Sequence, residues 1–580
     1  MGGDPAVSLI PVEAEKEVGM AKRGKITGSH LIGRALKLEG VHNIFTLAGD
    51  HILPVLDVMA DMDFRFIDTR HEQAAAHMAD AWGRITGQPG VCMYTTPGFA
   101  NALPGLAHAL HSESPLISIS GSADLAELGR GAMQEFDQIG AAKPLTKAAW
   151  MVCDARRIPE SIARAMRIAL SGRRGPVHLT IPIDVQEQEV DEEEVVFYQP
   201  AEYRAEERVF ADSRLIQQAI HLLHQAQRPF LIAGTPAGYA ASGELLQRFI
   251  ELTHLPLFTD GLARGLVSDE HPLCFGFFER GLNRAARLLA EADVVLLLGR
   301  KQDYTISYTF PPAVAADARI IQIDPSPIEI GRNRGVAVGI VGDIQAVLEQ
   351  LIAEASRLTW KPLPWLQKLQ AAREEQREWL ESLAKPEIPM HAMYVHKTLS
   401  SFLRPDDYLC FDGGDFCHFG RAFHPATQVR GWWYVQPLGM LGAALPTAIT
   451  LKLAHPESRV VMCSGDGAFG FNAMEFDTAV RHHLPVVAIL GNDAAWGIDR
   501  QIQLALYQRP VATDLLQSRY DQVVQGLGGH GEFVERPEDL APALERAFAS
   551  GKPALVNVVV QRAISPRAEA AIARRRQKRR

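Results

Sequence analysis

Short runs of apolar, often β-branched residues alternate with longer amphipathic stretches along the whole chain. Gly90-Val91-Cys92-Met93-Tyr94, Pro115-Leu116-Ile117-Ser118-Ile119, Asp293-Val294-Val295-Leu296-Leu297-Leu298 and Arg459-Val460-Val461-Met462 are the clearest such runs. They are apolar on both faces, and a strand of that kind belongs in a parallel sheet covered by helices. Between them lie helical patterns such as Ser213 to Leu223. The alternation predicts an α/β chain of doubly wound parallel sheets.

A length of 580 residues gives room for three domains. Two stretches read as linkers: the acid-rich segment 187–208, and 357–390, where four prolines surround a highly charged helix. The expected division is a leader at 1–24, domains at 25–190, 205–360 and 385–562, and a basic tail at 563–580. The tail ends in Arg574-Arg575-Arg576-Gln577-Lys578-Arg579-Arg580 and reads either as a solvated terminus or as a contact to an anionic substrate tail.

Hydrophobic residues at 47% against 22% charged mark a soluble globular protein. A formal charge of -9 argues against a nucleic-acid partner, because such partners demand a basic surface. No apolar run approaches the ~20 residues that span a bilayer, so no membrane association is expected. The first 20 or so residues carry early acids and no apolar segment, which excludes a secretory signal. Six cysteines without a CxxC pair fit a reducing cytoplasm, with neither a zinc site nor a disulfide framework.

The third segment holds the strongest chemical signal. A strand ending at Cys463 runs into Ser464-Gly465-Asp466-Gly467-Ala468, and a second ending at Leu490 runs into Gly491-Asn492-Asp493-Ala494-Ala495-Trp496-Gly497. Both loops are expected at the carboxyl ends of adjacent parallel strands, where open α/β sheets bind ligands. Glycines beside Asp466 let backbone approach a phosphate, and Asp466 offers a hard oxygen to Mg²⁺. A lone Gly-Asp-Gly is usually only a turn; the second loop, one helix and one strand later, gives it weight.

In the first segment, Arg70-His71-Glu72-Gln73-Ala74-Ala75-Ala76-His77-Met78-Ala79-Asp80-Ala81-Trp82 follows an extended run and reads as a helix start. Taken alone, Glu72 would be an acid complementing the helix dipole.

Together these loops resemble the signature of thiamin-diphosphate (ThDP) enzymes. The stretch from Arg70 to Val91, with Thr96 to Asn101, Gln134 to Gln138 and Arg174 to Val177, is similar to the pyrimidine-binding domain of the acetolactate synthase family. The likeness covers residues 25–562 or so. It implies a pyrimidine-binding domain, a central domain and a diphosphate-binding domain.

The resemblance implies Mg²⁺ ligands at Asp466, Asp493 and the carbonyl of Ala495, with Gly465, Gly467, Ala468, Trp496 and Gly497 around the diphosphate. Position 493 departs from the family in carrying Asp where Asn is usual, which adds negative charge. The resemblance further implies that Glu72 hydrogen-bonds N1′ of the aminopyrimidine, that the Leu438 carbonyl receives the 4′-amino group, and that Met440 holds the cofactor bent. It places the pyrimidine and diphosphate domains across a subunit boundary, so that Glu72 faces Asp466 of a second copy in a homodimer or homotetramer.

The branch includes acetolactate synthase, benzaldehyde lyase, oxalyl-CoA decarboxylase and 2-hydroxyacyl-CoA lyase. His51 and Gln134 resemble pocket residues of benzaldehyde lyase; a free imidazole at His51 can shuttle protons. Arg421 stands where oxalyl-CoA decarboxylase binds a CoA phosphate, and a guanidinium suits that task. Leu298-Gly299-Arg300 and Ile323-Asp324 resemble loops that hold FAD or ADP in relatives, and read equally well as a glycine turn and a strand-end acid. The expected function is a ThDP- and Mg²⁺-dependent 2-hydroxyacyl-CoA lyase and carboligase, with acyl-CoA or 2-oxo acid substrates. Acetolactate synthase and a non-catalytic nucleotide-binding protein are the alternatives.

Overall fold

The computed structural model describes residues 24–204, 208–435 and 437–579. The expected leader, apart from Gly24, and Gln436 lie outside them. Three six-stranded sheets, each parallel throughout, follow one another along the chain.

The first sheet runs in the order Arg65–Asp68, Asn43–Thr46, Gly90–Tyr94, Leu116–Ser120, Pro176–Thr180, Ala148–Met151. The third repeats that order with Trp432–Tyr434, Tyr408–Phe411, Val460–Gly465, Val487–Asn492, Ala554–Val559, His530–Val534. In both, chain order reverses beside the first strand, which opens a crevice outside the carboxyl ends of two neighbouring strands. The middle sheet has the dinucleotide-fold order: Cys274–Phe277, Leu257–Thr259, Pro229–Ala233, Val294–Leu298, Arg319–Asp324, Val338–Val341.

Local chemistry explains the helices that matter. In Ser213–Gln225, the Asp212 side chain caps the N–H of Arg214, and Ile216, Ala219, Ile220 and Leu223 form the buried stripe. The helix Glu72–Thr86 is stopped by Gly87 in the left-handed region at φ 78°, its N–H closing on the carbonyl of Gly83. Its alanines permit close packing: a Cβ on Gly105 of the helix Thr96–His111 would lie 2.5 Å from Cβ of Ala76. The linker helix Trp365–Ser382 buries Trp365, Leu366 and Leu369 against the middle domain and Leu380 against the third.

Residues 566–579 form a helix in which Ala568 and Ile572, one turn apart, are buried. It packs against the helices Gly497–Tyr507 and Asp415–Phe423, leaving Arg574 and Arg575 exposed. Five of the six cysteines are buried and Cys153 is exposed; burial pushes the Cys92 thiol up to about 12. Among the described residues no helix is long and apolar enough to cross a membrane.

Candidate active site

At the reversal point of the third sheet, the loops after Phe411 and Gly465 line a cavity of about 230 Å³, joined by the loop after Asn492. Glycine is required where the walls come closest. A Cβ on Gly467 would lie 2.8 Å from the Trp496 ring, and one on Gly497 would lie 2.9 Å from Oδ2 of Asp493. Buried Asp412 fastens the facing wall by accepting the N–H groups of Gly413 at 2.8 Å and of Gly442 and Ala444 at 3.1 Å. The sequence reading passed over that residue, since an acid at a strand end has no distinctive spacing.

Asp466 is 1% exposed and its Oδ2 has no hydrogen-bond partner. Burial holds the Asp466 and Asp493 carboxyls above the usual carboxylate range, and the Asp466 charge raises Asp493 further. Two buried acids facing each other are stabilised either by a shared proton or by a cation. Ala495 is buried on the same loop, which a left-handed Ala494 (φ 53°) turns. Hard oxygen donors next to glycine-lined space fit a Mg²⁺–diphosphate pair. Ala468, Trp496 and Gly497 also line the cavity.

Glu72 opens its helix and is 8% exposed. Asn101 Nδ2 donates to Oε2 at 3.0 Å, while Oε1 lies beside Gly98, where a Cβ would approach to 2.9 Å. Asn101 is a partner that the sequence reading did not single out. His51 lies at the reversal point of the first sheet, buried, with Nδ1 3.4 Å from Oγ1 of Thr96.

Gln134 lies on the surface of the single chain. Gln134 is exposed with φ 58°, on a loop tightened by N–H donation from Gly129, Gly131 and Ala132 to the Glu135 carboxylate. Gln138 instead is buried and donates to Thr96 Oγ1 and the Gly121 carbonyl, each at 3.0 Å, joining the cluster around His51.

Every residue lining the cavity falls between Ala392 and Ala563. Glu72, His51 and Gln134 are not among them, so one chain does not bring the Glu72 carboxyl and the Asp466 and Asp493 loops to one pocket. On the rim, Leu438 is exposed and Met440 half-buried, while Tyr304 Oη donates to the Pro437 carbonyl at 2.7 Å.

Arg421 is no surface arginine. It is 3% exposed, lies over the rings of Tyr434 at 4.4 Å and Phe277 at 5.1 Å, and its Nε has no partner. Burial and neighbouring Arg567 lower its pKa to about 10. It stands in the wall between a small cavity that reaches Gly439 and a groove of about 700 Å³ of mixed charge, in which Arg264 pairs with Asp269 and Arg377 with Glu381.

In the middle domain, Asp324 is fully buried and paired with Arg173 of the first domain. Arg173 also reaches Glu113 at 2.5 Å, and Lys301 meets Glu113 at 2.6 Å. The strand-end acid therefore ties two domains together. His77, Asp80 and His108 are gathered in a buried trio, but Arg84 donates through Nε and Nη2 to the Asp80 carboxylate, which makes the group an internal clamp.

The chain belongs to the thiamine pyrophosphate enzymes. Residues 26–141 match their N-terminal TPP binding domain, 216–351 their central domain and 412–558 their C-terminal TPP binding domain. The acetolactate synthase large subunit of Mycobacterium tuberculosis is 34% identical over 538 residues, which take in 92% of this chain and 96% of that one. Oxalyl-CoA decarboxylase of Escherichia coli is 33% identical over 551 residues, covering 92% and 94%. The 2-hydroxyacyl-CoA lyase of Arabidopsis thaliana is 31% identical over 560 residues, covering 92% and 96%.

Proposed function

We propose that this chain is a ThDP- and Mg²⁺-dependent carbon–carbon lyase. It splits a 2-hydroxyacyl-CoA into an aldehyde or ketone plus formyl-CoA, and catalyses the condensation in reverse. When bound, thiamin diphosphate supplies a carbon nucleophile and an electron sink. In one copy of the chain, Asp466, Asp493 and the Ala495 carbonyl offer oxygens to Mg²⁺, and Gly465, Gly467, Ala468, Trp496 and Gly497 wall the diphosphate. Leu438 and Met440 meet the aminopyrimidine side. In the other copy, Glu72 holds a proton at the aminopyrimidine N1′, and His51 with Thr96 moves one at the substrate oxygen. A homodimer is then the smallest active unit. The separation of Glu72 from the cavity within one chain supports that arrangement.

The observation that carries the CoA reading is Arg421: a buried guanidinium whose Nε has no partner, in the wall of a groove whose other charged side chains balance. Leaving such a group without an anion costs free energy, and a phosphate supplies charge-assisted hydrogen bonds. The second reading, acetolactate synthase, is favoured by the 34% identical relative; Arg421 would then hold a 2-oxo acid carboxylate. Purified protein given ThDP and Mg²⁺ should release formyl-CoA from a 2-hydroxyacyl-CoA and leave pyruvate unchanged. Acetolactate formed from pyruvate, with no formyl-CoA, would replace the first reading by the second.

A further inference from the structure

We propose that the diphosphate cavity binds two divalent cations per protomer, with Asp493 bridging them and Asp415 holding the second. This rests on the cofactor reading above. Asp415 follows Gly414, whose φ of 108° is open to glycine at no steric cost, and it begins the helix Asp415–Phe423. Its Oδ1 accepts the N–H of Ser565 at 3.1 Å. Its Oδ2 is buried without a partner, in a residue that is 8% exposed and lines the cavity.

Asp415 and Asp493 converge on one place. A Cβ on Gly497 would lie 3.3 Å from Asp415 Oδ2 and 2.9 Å from Asp493 Oδ2. The Asp493 carboxyl also neighbours Asp466, which lines the same cavity and whose Oδ2 is unpartnered. Asp493 is therefore the middle of three carboxyls. The nearby cation Arg562 is already committed: it donates to the carbonyls of Asp493 and Ala494 at 2.9 Å and pairs with Asp514 at 3.2 Å.

The local charge leaves room for a second ion. Three carboxylates and a diphosphate together carry about five or six negative charges, of which one Mg²⁺ cancels two. Cations about 3.5–4 Å apart, sharing a ligand, are an established way to hold phosphoryl oxygens. The departure at position 493 gains a reason here. An amide offers one carbonyl oxygen to one ion, whereas a carboxylate offers two oxygens and can join two ions.

Mn²⁺ in place of Mg²⁺ makes the count measurable. The full-length protein would be dialysed to equilibrium against Mn²⁺ and ThDP, and both would be quantified per protomer. Two Mn²⁺ per bound ThDP, with an electron paramagnetic resonance spectrum broadened by a neighbouring ion, are expected. Asp415→Asn should lower the count to one and sharpen the spectrum while ThDP stays bound; Asp493→Asn, which removes the bridge, should do the same and serves if the first variant does not fold. One Mn²⁺ per ThDP in the unaltered protein, or a count unchanged in a folded Asp415→Asn, overturns the inference. Absence of bound ThDP would instead overturn the cofactor reading itself.

Discussion

Asn101 holds one oxygen of Glu72 at 3.0 Å, and Gly98 leaves room beside the other. The carboxyl is thus oriented from one side, with its second oxygen next to the space that Gly98 leaves open. Glu72→Gln preserves size and the Asn101 contact in modified form while removing the acid. Turnover should fall by roughly 10² to 10⁴, and ThDP affinity measured by calorimetry should stay within a few-fold. Near-normal turnover would remove Glu72 from the chemistry.

Asp493→Ala should lose ThDP at low Mg²⁺ and recover part of it in excess Mg²⁺, because the cation rather than the fold is weakened. Asp493→Asn should retain ThDP, since an amide oxygen still ligates one ion. Fluorescence titration at two Mg²⁺ concentrations reads both. Tight ThDP binding by the alanine variant at low Mg²⁺ would remove the ligand role.

For Arg421→Ala, KM for an acyl-CoA should rise about 10- to 150-fold, the worth of a hydrogen bond to a charged group. ThDP binding should not change, because Arg421 is absent from the lining of the diphosphate cavity. Steady-state kinetics with an unchanged KM would return Arg421 to a packing role over Tyr434 and Phe277.

Stability should fall on acidification. Burial lowers His77 and His178 to about 3 and His396 to about 4. Each is neutral when folded and protonates when unfolded near its ordinary 6.5. The stabilisation is complete above pH 6.5 and is lost as pH falls toward 4 and 3, at about 1.4 kcal/mol per pH unit and group. Denaturant midpoints measured from pH 7.5 to 4.5 should decline through that window, and His178→Gln should reduce the slope. A flat profile would contradict it.

The three sheets were legible because strands buried on both faces leave continuous apolar runs such as Val294–Leu298. The loops at Asp466 and Asp493 were legible because the phosphate chemistry constrains glycines and acids together. The burial of Gln138 was not legible, since it follows a polar stretch and goes inward only as the first residue of the short helix Gln138–Ala142. The C-terminal helix was masked by its arginines, with only Ala568 and Ile572 to betray a buried face. Asp415 looked like any acid before a helix; its unpartnered Oδ2 appears only once the Gly497 loop folds over it.

The central claim is that Glu72 and Asp466 work together from different copies of the chain. Glu72→Gln and Asp466→Ala, each inactive alone, would be unfolded together, refolded as an equimolar mixture and assayed for carbon–carbon cleavage. Half the resulting dimers are mixed, and each mixed dimer keeps one site with both residues intact, so about a quarter of normal activity should return. If both residues serve the same chain, every site lacks one of them, and a mixture as inactive as its components would contradict the account.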